Sequence, residues 1–312
     1  MNLKKIFKYI KNPKKVKNVL IQKYLYKLNL PDEKHIKIEY KNIFGKDLNL
    51  ENPQTFNEKL QWLKLNDRKD IYTKMVDKYE SKKYVANLIG KEYIIPTIGV
   101  YDKFEDINFE NLPNQFVIKC THDSGGLSIC RDKKSFNIKE AKKKIEKSLK
   151  INFYRYHREW PYKNVKPRII VEKYMEDSNN KEEVGLIDYK FYCFNGEPEY
   201  LYVSQGLENH LTARITFFDK NFNKANFRRN DYRAYEGEIK KPINFEKMKE
   251  LSRILSKNMA FLRVDFYEIN GKIYFSELTF SPCGGLMVFE PSEYDKKLGD
   301  LIKLPQKKEK EL

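Results

Sequence analysis

The chain has 312 residues, 61 Lys and Arg against 44 Asp and Glu, and a formal net charge of +17. That length supports two or three packed lobes, while no apolar run reaches the ~20 residues of a spanning helix and no apolar h-region follows the basic N-terminus, which argues against a secretory signal. Four cysteines without CxxC spacing and four histidines without an HxxxH pair argue against a zinc centre, and the thiols read as reduced ones of a cytoplasmic protein.

Residues 1–50 read as a basic helical extension. The first thirty residues carry nine lysines and no acid, mixed with Ile, Leu, Phe and Tyr. A basic amphipathic helix broken at Pro13 would suit the anionic inner face of a membrane. Nucleic acid is another polyanion such a segment could bind. No RNP, zinc or helix-turn-helix signature accompanies it, so no nucleic-acid partner is expected. The plain alternative is a solvated helix on a lysine-rich protein.

From about Asn52 to Asn87 the pattern is helical. Thr55 is an N-cap with Glu58 three residues on, a capping box, and the helical run stops at Gly90. β-rich runs follow at YIIPTIGVY and QFVIKC. A helix is expected over Ile138–Lys150. RIIVEKYM reads as a strand, DYKFYCFNGEPEYLYVSQ as a hairpin turning at Asn195-Gly196, and ARITFFDKNFN continues the sheet. NFEKMKELSRILSKNM is an amphipathic helix. Helices mixed with antiparallel hairpins make the class α+β.

The stretch FLRVDFYEINGKIYFSELTFSPCGG, residues 261–285, is the most informative. It reads as a hairpin with Asp265 on one arm and Glu277 on the other. Carboxylates on the arms of one hairpin suit a hard cation such as Mg2+. Two registers compete. A two-residue Asn270-Gly271 turn would pair Asp265 with Ser276 and put Glu277 on the other face. A three-residue loop, Ile269-Asn270-Gly271, pairs Arg263 with Glu277 instead. The second register is preferred, because Arg263, Asp265, Glu277 and Thr279 then share one face while Leu262, Val264, Phe266, Tyr274 and Leu278 share the other. An amphipathic hairpin with a surface Arg–Glu pair is the alternative.

Four upstream features carry less chemistry singly. Lys119 ends the apolar run Phe116–Ile118 and precedes Ser124, Gly125 and Gly126, where backbone N–H groups could approach a phosphate; a tight turn explains the same glycines. The spacing fits neither a Walker A loop nor a dinucleotide fingerprint. Glu172 and Lys173 follow a strand and would otherwise be two exposed charges. Lys190 alternates with apolar neighbours in DYKFYCF, and Lys78 leads a helix in VDKYESKKYV.

Taken in order, these blocks resemble the ATP-grasp superfamily of carboxylate–amine ligases. The markers NPQTFNEKLQWLKLND, FVIKCTHDSGG, EWPYKNVKPRIIVEKYM, DYKFYCFNGEP and ELTFSP are similar to its TupA-like branch, found with cell-surface polymer synthesis. The resemblance implies two α+β lobes clasping ATP over residues 51–312, with 51–90 as a helical lead-in. It implies that Lys78 and Lys119 contact phosphates, that Ser124–Gly126 form a flap, and that Glu172, Lys173, Tyr174 and Met175 receive adenine through backbone atoms. It implies that Lys190 reaches the γ-phosphate, that Asp265 and Glu277 hold Mg2+, and that Thr279 stands where a second metal ligand, usually Asn, is found. Arg263 would stabilise an acyl phosphate and then an oxyanion. Glu176, Asp177, Glu182 and Glu183 are all candidates for the ribose acid.

The implied reaction joins an acidic sugar or polymer carboxylate to an amine through an acyl phosphate. Residues 151–168, dense in aromatics and bases, suit such a substrate and equally suit the edge of a core. The loop 226–237, with three arginines, could clamp an anion. The alternatives are an ATP-dependent kinase or glycosyltransferase of surface glycans, or a non-catalytic basic binding module.

Overall fold

The computed structural model describes residues 13–178, 185–206 and 213–306. Helix α1 (Pro13–Lys27) opens it, so Pro13 begins a helix, a first-turn position where proline is tolerated. Residues 1–12 of the basic extension, and with them any break before Pro13, lie outside the described residues, as do Glu182 and Glu183. No helix among the described residues is long and apolar enough to cross a membrane.

The helical lead-in divides into α2 (Asp32–Phe44), α3 (Phe56–Asn66), α4 (Asp70–Val76) and α5 (Glu80–Ile89). Helix α3 starts at the expected capping box. The Glu58 N–H donates to Thr55 Oγ1 at 3.2 Å, and the Thr55 N–H donates to Glu58 Oε2 at 3.0 Å. Helix α5 ends at Gly90, whose φ of +116° few other residues adopt.

Two antiparallel sheets follow. The smaller has strand order β1-β4-β2-β3, built from β1 (Thr97–Tyr101), β2 (Phe116–Cys120), β3 (Leu127–Cys130) and β4 (Ile169–Lys173). Phe116, Ile118, Cys120, Ile169 and Val171 pack one face against Ala141 and Ile145 of α6 (Ile138–Leu149). The alternate residues Val117, Lys119 and Glu172 face the other way. A single helical turn, α7 (Tyr154–His157), lies in the connection from α6 to β4.

The larger sheet has order β10-β9-β5-β6-β7. Its strands are β5 (Asp188–Phe194), β6 (Glu197–Gln205), β7 (Arg214–Asp219), β9 (Phe261–Ile269) and β10 (Lys272–Thr279), and the two-residue β8 (Arg228–Arg229) pairs with β11 (Phe289–Glu290) outside it. One face is apolar along its length: Phe191, Leu201, Val264 and Phe266 meet α8 (Phe245–Ser256) together with α4 and α5. The opposite face changes character along each strand. Tyr192, Phe194 and Phe261 pack under Phe56 and Leu60 of α3 and Leu298 of α9 (Tyr294–Asp300). Asp188, Lys190, Arg263 and Asp265 continue the same parity, so this half of the face is polar and faces the smaller sheet.

The hairpin register differs from the expected one. Lys272 pairs with Ile269, so the turn is the two-residue Asn270-Gly271, with φ of +51° and +73° as a type I′ turn requires. Asn270 is pinned there, its N–H donating to Asp177 Oδ1 and its Oδ1 accepting from the Ser178 N–H. Strict alternation from this turn would carry Glu277 to the apolar face. A β-bulge between Phe275 and Glu277 prevents that. Ile273 and Phe275 join the core before it, and Leu278 after it. Glu277 therefore lies opposite Asp265, and Thr279 opposite Arg263; Tyr274, expected among the apolar residues, lies opposite Tyr267.

The capping box gives a stability test. Thr55→Ala is expected to lower the free energy of unfolding by about 1 kcal/mol, read from urea denaturation. An unchanged midpoint would mean that α3 is held by its packing alone.

Candidate active site

A cavity of about 330 Å3 lies between the polar half of the larger sheet and the free face of the smaller one. The register of the larger sheet builds a row whose members Lys190 and Glu277 line the cavity and whose member Asp265 lies buried between them. Tyr202 pairs with Lys190, Lys190 with Asp265, and Asp265 with Glu277. These four residues make one row across β6, β5, β9 and β10.

The row is an ion network. Lys190 Nζ donates to Asp265 Oδ2 at 2.8 Å and to Asp188 Oδ1 at 3.1 Å. Arg263, one pleat along, grips both Asp265 oxygens at 2.7 and 2.6 Å and reaches Glu277 Oε2 at 3.1 Å. Asp265 has no exposed surface. Burial works against its charge, but Arg263 and Lys190 hold its carboxyl below the ordinary range. Asp188, with Asp265 nearby, is pushed up by burial. Thr279 Oγ1 is buried without a hydrogen-bond partner.

The opposite wall carries a second network. Glu172 is 4 % exposed, not the exposed strand-end charge the sequence allowed. Its carboxylate meets Lys119 Nζ at 2.7 Å and also Lys82 of α5. Burial alone would raise the Glu172 carboxyl; the two lysines overcome it and bring it from 4.5 to about 2. Lys173 is exposed and its N–H donates to Pro96 O at 3.0 Å, while Tyr174 and Met175, past the strand end, line the cavity.

The loop between β2 and β3 is built on Asp123. Its carboxylate accepts from the Gly126 N–H at 3.1 Å and from the Ser148 hydroxyl of α6, and its carbonyl accepts from Lys78 Nζ. A Cβ on Gly126 would meet Cys120 Sγ at 2.5 Å, so only glycine fits. Ser124 and Gly126 line the cavity; Gly125 sits between them with open space around it, its nearest neighbour being Asp123.

The expected residues Lys78, Lys119, Ser124, Gly126, Glu172, Lys173, Tyr174, Met175, Lys190 and Glu277 therefore share one cavity wall or another. Lys82, Asp123, Asp188 and Tyr267 line it too and were not singled out from sequence. Lys82 lies four residues after Lys78, a helical same-face spacing that could have been noticed. Of the ribose candidates described, Asp177 binds the hairpin turn and the Glu176 carbonyl accepts from Asn270 Nδ2.

Within residues 151–168, Tyr156 and His157 are fastened to the N-terminal helices. Tyr26 and Tyr156 lie with ring centroids 4.7 Å apart, His157 Nδ1 meets Glu39 Oε1 at 2.8 Å, and Lys64 Nζ donates to His157 O at 2.7 Å. In the arginine loop, Arg228 pairs outward with Glu290 at 2.6 Å. Arg229 turns inward.

The profile of the family described as TupA-like ATP-grasp matches residues 58–303. Among solved structures, D-alanine–D-alanine ligase from Helicobacter pylori is similar at 14 % identity and TM-score 0.44, over 80 % of this chain and 69 % of that one. The Bacillus anthracis D-alanine–D-alanine ligase complexed with ATP is similar at 18 % and 0.39, over 73 % and 63 %. A RimK domain ATP-grasp protein from Sphaerobacter thermophilus is similar at 10 % and 0.38, over 76 % and 70 %. No curated protein matches.

The Glu172 network yields a pH prediction. Its folded carboxyl lies below the unfolded value, so the ion pairs contribute fully above pH 4.5 and are lost as pH falls toward 2. Glu172→Gln is expected to cost about 2–3 kcal/mol near neutral pH, below the ~3–5 kcal/mol of a wholly buried pair, because Lys119 keeps some solvent. Urea unfolding followed from pH 7 to about 3 should show the gap between wild type and variant closing on the acid side. A gap independent of pH would remove the ion-pair account.

Proposed function

The chain belongs to the TupA-like branch of the ATP-grasp ligases, and on that premise we propose that it activates a carboxylate with ATP and transfers the acyl group to an amine. The observation that carries this reading is Lys190 and Glu277, joined through buried Asp265 in one row, facing Lys119 and Glu172 across one cavity. Cations and acids on opposite walls suit a Mg·nucleotide, and the volume lies at the lower end for small-molecule sites.

Ile95, Val117, Leu186 and Tyr267 offer apolar walls for a purine. Because the Lys173 N–H is spent on Pro96, the backbone of Tyr174 and Met175 would take its polar edge. Lys78, Lys119 and the loop Ser124–Gly126 would face the phosphates, and Lys190 the γ-phosphate. Asp265 and Glu277 would hold Mg2+, with Thr279 as a further oxygen. Two carboxylates and an unpartnered buried hydroxyl are hard oxygens of the kind this ion takes, and Arg263 and Lys190, which hold both Asp265 oxygens, would have to yield one of them to it. Bound Mg2+ supplies neutralisation of the phosphoryl oxygens.

In the first step a substrate carboxylate oxygen bonds to the γ-phosphorus and the bond to ADP breaks. In the second, the amine nitrogen attacks the acyl carbon, loses a proton, and phosphate leaves. Lys190 and Arg263 balance the charge that collects on the transferred group, and Arg263 then faces the oxyanion. A closed Ser124–Gly126 loop would exclude water from the acyl phosphate. The donor is an acidic sugar or polymer of surface polysaccharide synthesis. Residues 51–312 act as the catalytic unit and 1–50 as an extension whose basic start touches anionic lipid.

ADP release, screened over acidic sugars and small amines, tests the reaction. Release that requires both substrates supports a ligase; release without an amine would make it a kinase. Asp265→Asn and Glu277→Gln are each expected to lower Mg·ATP-dependent release at least ~100-fold. Full activity in both would leave only a binding module. For the extension, removing residues 1–12 is cleaner than removing 1–30, since Leu25 is buried. Loss of binding to phosphatidylglycerol vesicles is expected, and unchanged binding would remove the membrane contact.

A further inference from the structure

Arg229 is 7 % exposed, and the function just proposed gives it no role. Its guanidinium lies by Tyr202 of β6, outside the lining of the nucleotide cavity. The guanidinium lies 5.9 Å from the Tyr202 ring centroid, and the Arg263 guanidinium lies 5.9 Å from the same ring. Tyr202 is the row partner of Lys190. Arg229 and Arg263 therefore share one aromatic ring, which places a second buried cation beside the residues assigned to phosphoryl transfer.

Arg229 is flanked by the Tyr202 and Tyr232 rings, the latter 5.2 Å away, and its carboxylate partner is open to solvent. Its Nε donates to Asp231 Oδ1 at 2.9 Å, and its second nitrogen meets Asp231 Oδ2, a fork-on-carboxylate grip. Asp231 is a loop residue with a side chain 48 % exposed. The same nitrogen lies 3.0 Å from the Sγ of Cys283, an exposed thiol. The neighbouring Arg228 is solvent-facing and satisfied by Glu290. A buried guanidinium whose bidentate partner is a solvent-open carboxylate can exchange it for another carboxylate of equal geometry. Losing Asp231 to solvent costs little because it is already half hydrated, whereas leaving Arg229 without a partner would cost much more.

We propose that Arg229 anchors a non-reacting carboxylate of a substrate, and that Asp231 occupies its fork as a placeholder in the free protein. This rests on the ligase reading, because the reacting carboxylate is assigned to Lys190 and Arg263. The ligand chemistry is a carboxylate, carried either by the amine substrate or by the acid substrate as a second acidic group. The first source predicts an amino acid as acceptor, the second a polyacid as donor.

The test is equilibrium binding to the full chain in the presence of Mg·ADP. The probes are pooled amino acids and glucuronate, with amino-acid amides and glucose as carboxylate-free counterparts. A carboxylate probe is expected to bind and its counterpart to bind at least tenfold more weakly. Arg229→Gln is expected to weaken the carboxylate probe at least tenfold, and Asp231→Asn to tighten it severalfold, with Mg·ATP affinity unchanged in both. Binding by amino acids alone assigns the carboxylate to the acceptor; binding by glucuronate alone assigns it to the donor. Equal binding of counterparts, no carboxylate binding although Mg·ATP binds, or weakening by Asp231→Asn would overturn the anchor. Failure to bind Mg·ATP at all would overturn the ligase reading, and the anchor with it. Asp231→Asn keeps an amide oxygen for the Arg229 guanidinium and changes an exposed side chain, so its result stands even where Arg229→Gln does not fold.

Discussion

Asp265 is completely buried, and the structure around it answers one question: how a carboxylate survives there. An isolated buried charge costs several kcal/mol even after relaxation. Here Arg263 supplies a bidentate fork and Lys190 a third contact. Those cations are themselves buried and need further acids, which Glu277 and Asp188 provide. The network closes only if β5, β9 and β10 keep their register, because each member comes from a different strand or a different pleat. A slip of one residue on any strand would turn its charge into the apolar face.

The same parity explains the layers. Along β5, Asp188, Lys190, Tyr192 and Phe194 share one face. The first two look into the cavity, and the last two lie under α3 and α9. The helical lead-in therefore covers only half of that face and leaves the other half to border the cavity. On the facing sheet, Glu172 is held by Lys119 and Lys82. Both walls keep lysines paired with acids, so a phosphate bound there would compete with carboxylates that are already in place. Such competition favours a ligand with several negative charges over a single anion.

The N-terminal helices are tied to this body through residues 151–158. Lys64 of α3 is fully enclosed, and burial lowers its ammonium to about 8 despite Glu39, Glu159 and Asp32 nearby. It donates to His157 O at 2.7 Å and to Gly284 O at 2.8 Å, and Gln61 donates to Gly285 O at 2.7 Å. These contacts fix the short 3-10 segment Pro282–Gly285, where Cys283, Gly284 and Gly285 all have positive φ. That segment carries the Cys283 thiol to Arg229. Residues 154–158 of the aromatic and basic run fasten the N-terminal helices, while Tyr162 farther along is partly buried within reach of the Glu277 and Arg263 charges.

Much was legible from residues alone. The capping box at Thr55, the stop at Gly90, the hairpin at Asn195-Gly196 and the helix from Ile138 depend on neighbours a few positions apart, and local chemistry decides them. The Asn270-Gly271 pair likewise carries its own turn type, and this local preference prevails over the longer loop that the face pattern favours. What restored Glu277 to the side of Asp265 was a bulge at Ser276, which no periodicity announces. Pairings between distant segments were also out of reach: Lys82 and Lys119 on Glu172, Asp123 on Ser148, and Arg229 beneath Tyr202 join residues separated by long stretches of chain. Sequence determined which residues alternate and where the chain turns, since those are local energies. Only tertiary structure decided which charges neutralise one another, since burial of a charge is set by every strand that surrounds it.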